Sequence, residues 1–255
     1  MMPVPQIDDG VRMDSSVRMP DSFDKERERI HRQMMSSVSH DLKTPLASII
    51  GSLEIHERMK EKLKPGNKQA LIDMALQEAY RLDNFITNIL DMAKLENGQV
   101  KFKNEQCNIG GLLQDCITQV APRLKESDVR INGISGPISA NTDPTLLQRA
   151  IGLLLDNAVK HGGMPSVISI IYGKEKDTGL NFVSVRDQGI GISDSMKEAI
   201  FSKYTRFVKQ DKQNAGTGLG LAICREIMRL LKGSVEVENH FDGGALFTLK
   251  FPSIA

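Results

Sequence analysis

Tryptophan is missing from this 255-residue chain and aromatics make up only 5% of it. The core must therefore be mostly aliphatic, as in helix-rich proteins. Cysteine is scarce as well. Cys107, Cys116 and Cys224 are odd in number and unrelated in spacing, with no CxxC pair and no nearby histidine. That excludes a disulfide framework and a structural zinc site, and points to reduced thiols in a cytosolic setting. Neither sign of charge is in excess: 33 Lys plus Arg face 32 Asp plus Glu, a net charge of +1. A chain so balanced has no broad electrostatic footprint for nucleic acid or for an anionic membrane surface. Long hydrophobic runs are absent too, since LASIIGSL at 46–53 and AIGLLLDNAV at 150–159 fall well short of the roughly 18 apolar residues a spanning helix needs. With no membrane segment, the chain is expected to be soluble and cytoplasmic, whether free or as the cytosolic part of a longer membrane protein. Residues 1–23 lack the apolar h-region of a signal peptide and are rich in Pro, Gly, Ser and acids, which reads as a flexible leader.

What is present is ordinary globular composition, 40% hydrophobic and 25% charged, enough for one large domain or two modest ones. From Phe23 to Leu63 the chain reads as helix, with Met35, Val38, Leu42, Leu46, Ile49 and Leu53 stepping by threes and fours along one seam. LKPGNK at 63–68 is a turn. Lys68 to Glu96 reads as a second helix with a stripe of Ile72, Ala75, Ala79, Leu82, Ile86, Ile89 and Ala93. Two such helices make an antiparallel hairpin with too little core of its own, and pairing two hairpins into a four-helix bundle covers both stripes. After Asn97-Gly98 the pattern changes. Alternating runs at 167–173, 182–187, 234–239 and 245–251 read as strands, with Asp177-Thr178-Gly179 turning the first pair into a hairpin. Helical segments lie near 109–125, 144–161 and 217–232, the middle one opened by Asp143 and Pro144 and closed by Gly162-Gly163. The fold class is α+β: a two-helix dimerisation hairpin over 24–97, then a sandwich with a mixed sheet over 104–255.

Chemistry concentrates first in SVSHDLKTPLASI at 37–49. A lone histidine on a helix is usually solvated surface. Here, at about 100° per residue, His40 points about 160° away from the centre of the apolar seam, and Thr44 lies about 40° from it on the same outward face. Asp41 flanks the imidazole, and a carboxylate there can fix the tautomer and stabilise the imidazolium formed when His40 acts as a nucleophile. Pro45 removes one helical hydrogen bond and should bend or loosen the helix just beyond.

The last hundred residues hold a second constellation. In LLLDNAVKHGG, Asn157 and Lys160 share a helical face, an amide oxygen for a metal and an ammonium for phosphate, though polar pairs on helices are usually solvated edges. In VRDQGIGIS, Asp187 ends a strand and Gly189 and Gly191 follow, an arrangement that lets backbone approach a planar ligand while the carboxylate accepts from an exocyclic amine; a plain glycine turn is the competing reading. In NAGTGLGLAICREI, Gly216, Gly218 and Gly220 lead into a helix N-terminus, which offers N–H groups to phosphate. The pattern is neither GxxxxGK[ST] nor a glycine turn inside a βαβ unit, which disfavours a P-loop and a Rossmann site.

HDLKTP at His40, LLLDNAVKH, DQGIGI at 187–192, IFSKYTRF at 200–207 and GTGLGLAI at 216–223 resemble, in order and spacing, the five sequence boxes of the sensor histidine kinases. The resemblance covers about residues 25–253, and NILDMAKLENG, NAVKHGG and GLGLAICR look most like the potassium-responsive sensor kinase subfamily. It implies a homodimeric phosphotransfer hairpin followed by a Bergerat-type ATPase domain that uses ATP and Mg²⁺. His40 would take the γ-phosphoryl and pass it to an aspartate on a response regulator. Asp41 would be the general base, and Thr44 would orient water when the regulator is dephosphorylated. Asn157 would bind Mg²⁺, Lys160 the phosphates and Asp187 the adenine amine. Gly189, Gly191, Gly216, Thr217, Gly218, Leu219 and Gly220 would shape the pocket, and the segment 202–215 its lid. Phe201 and Arg206 fall in the segment where an arginine often reaches the γ-phosphate. One departure stands out: the asparagine usual four residues before Asn157 is Leu153. Two alternatives carry weight beside this: another ATPase of the same nucleotide fold, against which the His40 hairpin argues, and a non-catalytic phosphotransfer or scaffold protein, against which the glycine boxes argue.

Overall fold

The computed structural model describes residues 21–253 apart from 60, 125–127, 135, 137, 164–166 and 204–217. The leader expected over 1–23 lies mostly outside these residues, and so does most of the expected lid. By its contacts the chain divides into two compact units, residues 1–44 and 45–255.

Helix α1 runs Asp21–Met59 and α2 runs Pro65–Glu96. The helix predicted to reach Leu63 stops at Met59, whose carbonyl accepts from both Lys62 and Leu63 (2.8 and 2.9 Å). The second starts at Pro65 rather than Lys68. Proline forces Lys64 into an extended conformation (φ −62°, ψ 149°) while its own fixed φ suits the first helical position. At the far end the amides of Gly98 and Gln99 close back on Leu95 and Lys94 (3.2 and 2.9 Å), with Gly98 left-handed at φ +62°.

Part of the seam read from the sequence stays open in the single chain, as expected of a stripe that a second hairpin covers. In the second unit's stretch of α1 the buried positions are Pro45 and Ser52, whereas Leu46 and Leu53 are 46% and 50% exposed. In α2, Ala75, Phe85 and Met92 are buried while Ala79 is exposed and Ile86 is 43% exposed. Each helix has two apolar stripes, and the single chain covers only one of them. Leu46, Ile50 and Leu53 fall within about 60° of arc, turned by roughly 120° from Pro45 and Ser52.

The rest is a mixed sheet covered on one face by helices. β1 (Glu105–Asn108) pairs antiparallel with β3 (Ser139–Thr142) in a separate two-stranded sheet. The main sheet has the order β2-β4-β5-β7-β6, formed by Asp128–Gly133, Val167–Lys174, Asn181–Arg186, Ala245–Phe251 and Ser234–Asn239. Only the β2–β4 pairing is parallel; β4–β5, β5–β7 and β7–β6 are antiparallel. Helices α3 (Ile109–Leu124), α4 (Pro144–His161) and α5 (Gly220–Leu230) pack on one face. That face carries Ile168, Ile170, Val183, Val185, Phe247, Leu249 and Phe251, each at most 2% exposed, and truncating any one should cost about 2–5 kcal/mol. The period-two alternation of β7 turns Leu246, Thr248 and Lys250 to the open face. There Thr248 bonds Ser184 (2.9 Å), and Lys250 bridges Glu175 and Glu236 (3.2 and 3.0 Å). These partners raise the Lys250 pKa, while the bonds from Thr178 and Lys250 lower that of Glu175.

The α+β reading and its mixed sheet hold. The four predicted strands are found within one residue of their expected ends, and α5 is shorter than expected. Missed were β1, β2 and β3, because EQCN, DVRING and SANT carry no sustained apolar alternation.

Candidate active site

His40 stands on α1 with its ring 81% exposed, Nδ1 turned to Asp41 Oδ1 at 3.5 Å. Asp41 is 17% exposed, so it meets the imidazole from the helix side rather than from open solvent. A bond this long is weak, but it orients the ring: with a proton held on Nδ1 toward the carboxylate, Nε2 is the nitrogen presented to solvent. Thr44 donates its hydroxyl to the His40 carbonyl (3.1 Å), the back-bond that threonine makes one turn down a helix. Its proton is engaged while its lone pairs remain. Helical structure continues through Pro45, although proline has no N–H to give to the helical ladder.

The second group of residues surrounds α4. Asp143 caps that helix as expected, its Oδ1 accepting from Leu146 N at 3.0 Å, and its Oδ2 also accepts from Lys103 N at 2.8 Å. Asn157 is half-buried one turn before the helix end, Lys160 is exposed, and Leu153 is buried at 5% exposure. A side chain on Gly220 would meet Leu153 Cδ2 at 3.6 Å. Leu153 is therefore packing at the contact between α4 and α5 and supplies no ligand.

Asp187 closes β5. It is 3% exposed, and its Oδ1 accepts from both Gly189 N (2.8 Å) and Ala245 N (3.0 Å). Two backbone donors on one oxygen fix the carboxylate and leave Oδ2 without a hydrogen bond from the described residues. The loop that follows is glycine by necessity. A methyl on Gly189 would collide with the His161 carbonyl at the end of α4. Gly191 has φ +75°, and a side chain there would press on Asn239 Oδ1 at 2.8 Å. Asn239 in turn clamps Ile192 by both its N–H (2.8 Å) and its carbonyl (2.7 Å). Leu219, fully buried, and Gly218, at φ +66°, lead into α5.

The fold thus gathers Asn157, Lys160, Asp187, Gly189, Gly191, Gly218, Leu219 and Gly220 on α4 and the two loops packed against it. Arg206, Gly216 and Thr217 lie outside the described residues. Phe201 belongs to the core, 4% exposed and edge-on to Phe247 with ring centroids 6.4 Å apart. Two residues of this site escaped the sequence reading. Asn239 is one; Gly244 is the other, at φ +82°, where any side chain would run into the Asp187 carbonyl. The Gly243-Gly244 pair between two alternating runs was the available signal.

The donor set admits Mg²⁺. The Asn157 amide makes no hydrogen bond to a described residue, and no cluster of three His, Cys, Asp or Glu side chains occurs among them. A divalent ion held by one amide oxygen would take its other ligands from phosphate and water, the usual mode for Mg²⁺.

Residues 30–98 match the family model of the His Kinase A (phospho-acceptor) domain, and residues 142–254 that of the histidine kinase-, DNA gyrase B- and HSP90-like ATPase. The chain belongs to the sensor histidine kinases. It is 31% identical to the sensor protein KdpD of Clostridium acetobutylicum over 229 residues, covering 89% of this chain and 25% of that protein. The Escherichia coli sensor protein KdpD is likewise 31% identical over 230 residues, with 89% and 25% covered. This histidine kinase chain therefore spans about a quarter of the length of these relatives. Its fold is shared with histidine kinase ThkA, solved in complex with the response regulator protein TrrA (TM-score 0.66, 23% identity, 91% of this chain and 66% of that one). It is shared also with Acinetobacter baumannii histidine kinase AdeS (TM-score 0.63, 20% identity, 85% and 98%). Among the described residues no helix is long and apolar enough to cross a membrane.

Proposed function

We propose that this chain transfers the γ-phosphoryl group of ATP to Nε2 of His40, releasing ADP, and then passes it to an aspartate carboxylate on a response regulator. The observation that carries the reading is the exposed His40 ring, oriented through Nδ1 by Asp41, on a phospho-acceptor domain joined in one chain to an ATPase domain. Phosphoryl transfer asks little covalent work of the protein, so catalysis rests on positioning and on offsetting charge. Asp41 holds the Nδ1 proton and steadies the imidazolium as the P–N bond forms. Asp187 receives the adenine amine on Oδ2, Lys160 meets the phosphates, and the glycines at 189, 191, 218 and 220 let backbone approach the nucleotide. Asn157 would hold Mg²⁺, which when bound draws charge from the phosphate oxygens. Arg206, Gly216 and Thr217 are assigned to the nucleotide on the sequence boxes alone. The phosphotransfer domain is assigned to 24–97 and the catalytic domain to 104–255, in a cytoplasmic setting.

The working unit is a homodimer. Leu46, Ile50 and Leu53 on α1, with Leu76, Tyr80, Ile86 and Leu90 on α2, are 43–67% exposed, and a second hairpin would cover these stripes. The non-catalytic alternative draws on Leu153, which removes one expected metal ligand. Incubation with γ-labelled ATP decides between them. Label should appear on the protein, survive base and be lost in acid, as phosphohistidine is, and His40→Gln should abolish it while nucleotide binding stays within about twofold. Label retained on that variant would remove His40 from the reaction.

A further inference from the structure

Helix α2 and the ATPase domain are joined by an arginine fork. Arg149, on the second turn of α4, donates through Nε to Asp91 Oδ2 (2.8 Å) and through a terminal nitrogen to Asn88 Oδ1 (2.7 Å) and to Asp91 Oδ2 (2.7 Å). Arg149 and Asp91 are 31% and 27% exposed. Asn88 and Asp91 are one turn apart on α2, so the planar guanidinium meets two acceptors on one helical face at once, a geometry lysine cannot reproduce. α5 also lies against α2, and Lys203 pairs with Glu96 at the end of that helix.

The covalent connection is short. The amides of Gly98 and Gln99 close the end of α2, and Lys103 is already pinned to Asp143. Between these anchors only residues 100–102 remain, a span on the order of 13 Å even when fully extended, so proximity of the two domains is given by the chain itself. Orientation is not. A short connection alone does not fix rotation about its single bonds, and transfer over bonding distance is sensitive to errors of about 1 Å.

We infer that Arg149 is a positioning residue for phosphoryl transfer, holding the ATPase domain in register on α2 through Asp91 and Asn88. It lies on the first half of α4, away from Asn157 and Lys160, and serves orientation rather than nucleotide binding. The inference rests on the kinase reading above, and the experiment separates the two. In the full chain, Arg149→Ala should lower the autophosphorylation rate about 3- to 10-fold, the range of one charge-assisted bond pair, with the KM for ATP unchanged. Arg149→Lys should fall between. The exchange Arg149→Asp with Asp91→Arg should recover the rate to within about twofold, whereas either single reversal should be slower than Arg149→Ala. Thermal melting and nucleotide titration confirm that each variant is folded. Limited proteolysis reads the fork without phosphotransfer: cleavage within 97–102 should be faster in Arg149→Ala than in the unaltered chain. If the unaltered chain takes no label, the kinase reading fails while the proteolysis still reports on the fork. An unchanged or raised rate in Arg149→Ala, a rise in KM equal to the loss in rate, or no recovery on exchange would overturn the positioning role.

Discussion

The Asp187 carboxylate reaches the amide of Ala245 with Oδ1 at 3.0 Å, so the end of β5 and the start of β7 are locked by the same group assigned to adenine. Asp187→Asn and Asp187→Ala should therefore behave differently. Asparagine keeps an oxygen for Gly189 and Ala245 but gives up the charge and the second acceptor. It should fold normally and bind adenine nucleotide at least about tenfold more weakly. Alanine orphans two backbone donors and should also lower stability by about 2–3 kcal/mol. Calorimetric titration with ADP and thermal melting check both, and wild-type affinity in Asp187→Asn would remove the adenine role.

Asn157 serves the metal in this reading, and its loss should show in a different measurement. Asn157→Ala should bind ADP normally without Mg²⁺, lose the gain that Mg²⁺ brings, and autophosphorylate at least about tenfold more slowly. Because Leu153 packs against Gly220 and offers no oxygen, it does not compensate for the loss. Equal losses of affinity with and without Mg²⁺ would assign Asn157 to the nucleotide itself.

The sequence showed most plainly what depends on short-range periodicity. β7 alternates buried and half-buried residues from Ala245 to Phe251, and Asp143-Pro144 opens α4 where the cap-and-proline pattern said it would. His40 and Asp41 were legible because they are neighbours on one helix. Arg149 was not, since its partners are 58 and 61 residues away and an arginine on an amphipathic helix has no local signature. Which stripe of α1 is buried by its own chain was not legible for a related reason. Leu46, Ile50 and Leu53 form the more regular apolar stripe, but the single chain buries Pro45 and Ser52, and a pattern cannot say which stripe faces its own chain.

Cys224 gives the chain a dependence on alkaline pH. Its side chain is fully buried, and burial pushes the thiol from 9.0 up to about 12. Cys116 is pushed up to about 12 as well, by burial first and then by Asp115. Above about pH 9 the unfolded chain sheds protons that the folded chain retains, so this contribution is whole below pH 9 and is lost progressively toward pH 12. Melting temperature should fall between about pH 8.5 and 10.5, by the equivalent of up to about 2 kcal/mol per thiol. Cys224→Ala should flatten that slope while costing some packing at neutral pH. Identical slopes in the two proteins would show that other groups govern alkaline unfolding.

Thr44 should separate the making of phosphohistidine from the hydrolysis of the phosphorylated regulator. Its hydroxyl donates to the His40 carbonyl at 3.1 Å, which holds the side chain in one rotamer on the exposed face with its lone pairs toward solvent. A water accepted there would stand one helical turn from His40, placed for attack on a phosphoaspartate docked against the hairpin. When His40 itself is the nucleophile no such water is needed. Alanine removes the acceptor and is a better helix former than threonine, so Thr44→Ala should leave the hairpin at least as stable. Autophosphorylation should stay within about twofold, while decay of the phosphorylated regulator in the presence of ADP should slow at least about tenfold. Mixing purified phosphoregulator with each protein and following loss of label measures this. Decay at the wild-type rate with Thr44→Ala would leave the hydroxyl with its back-bond alone and take the phosphatase step away from this face of the helix.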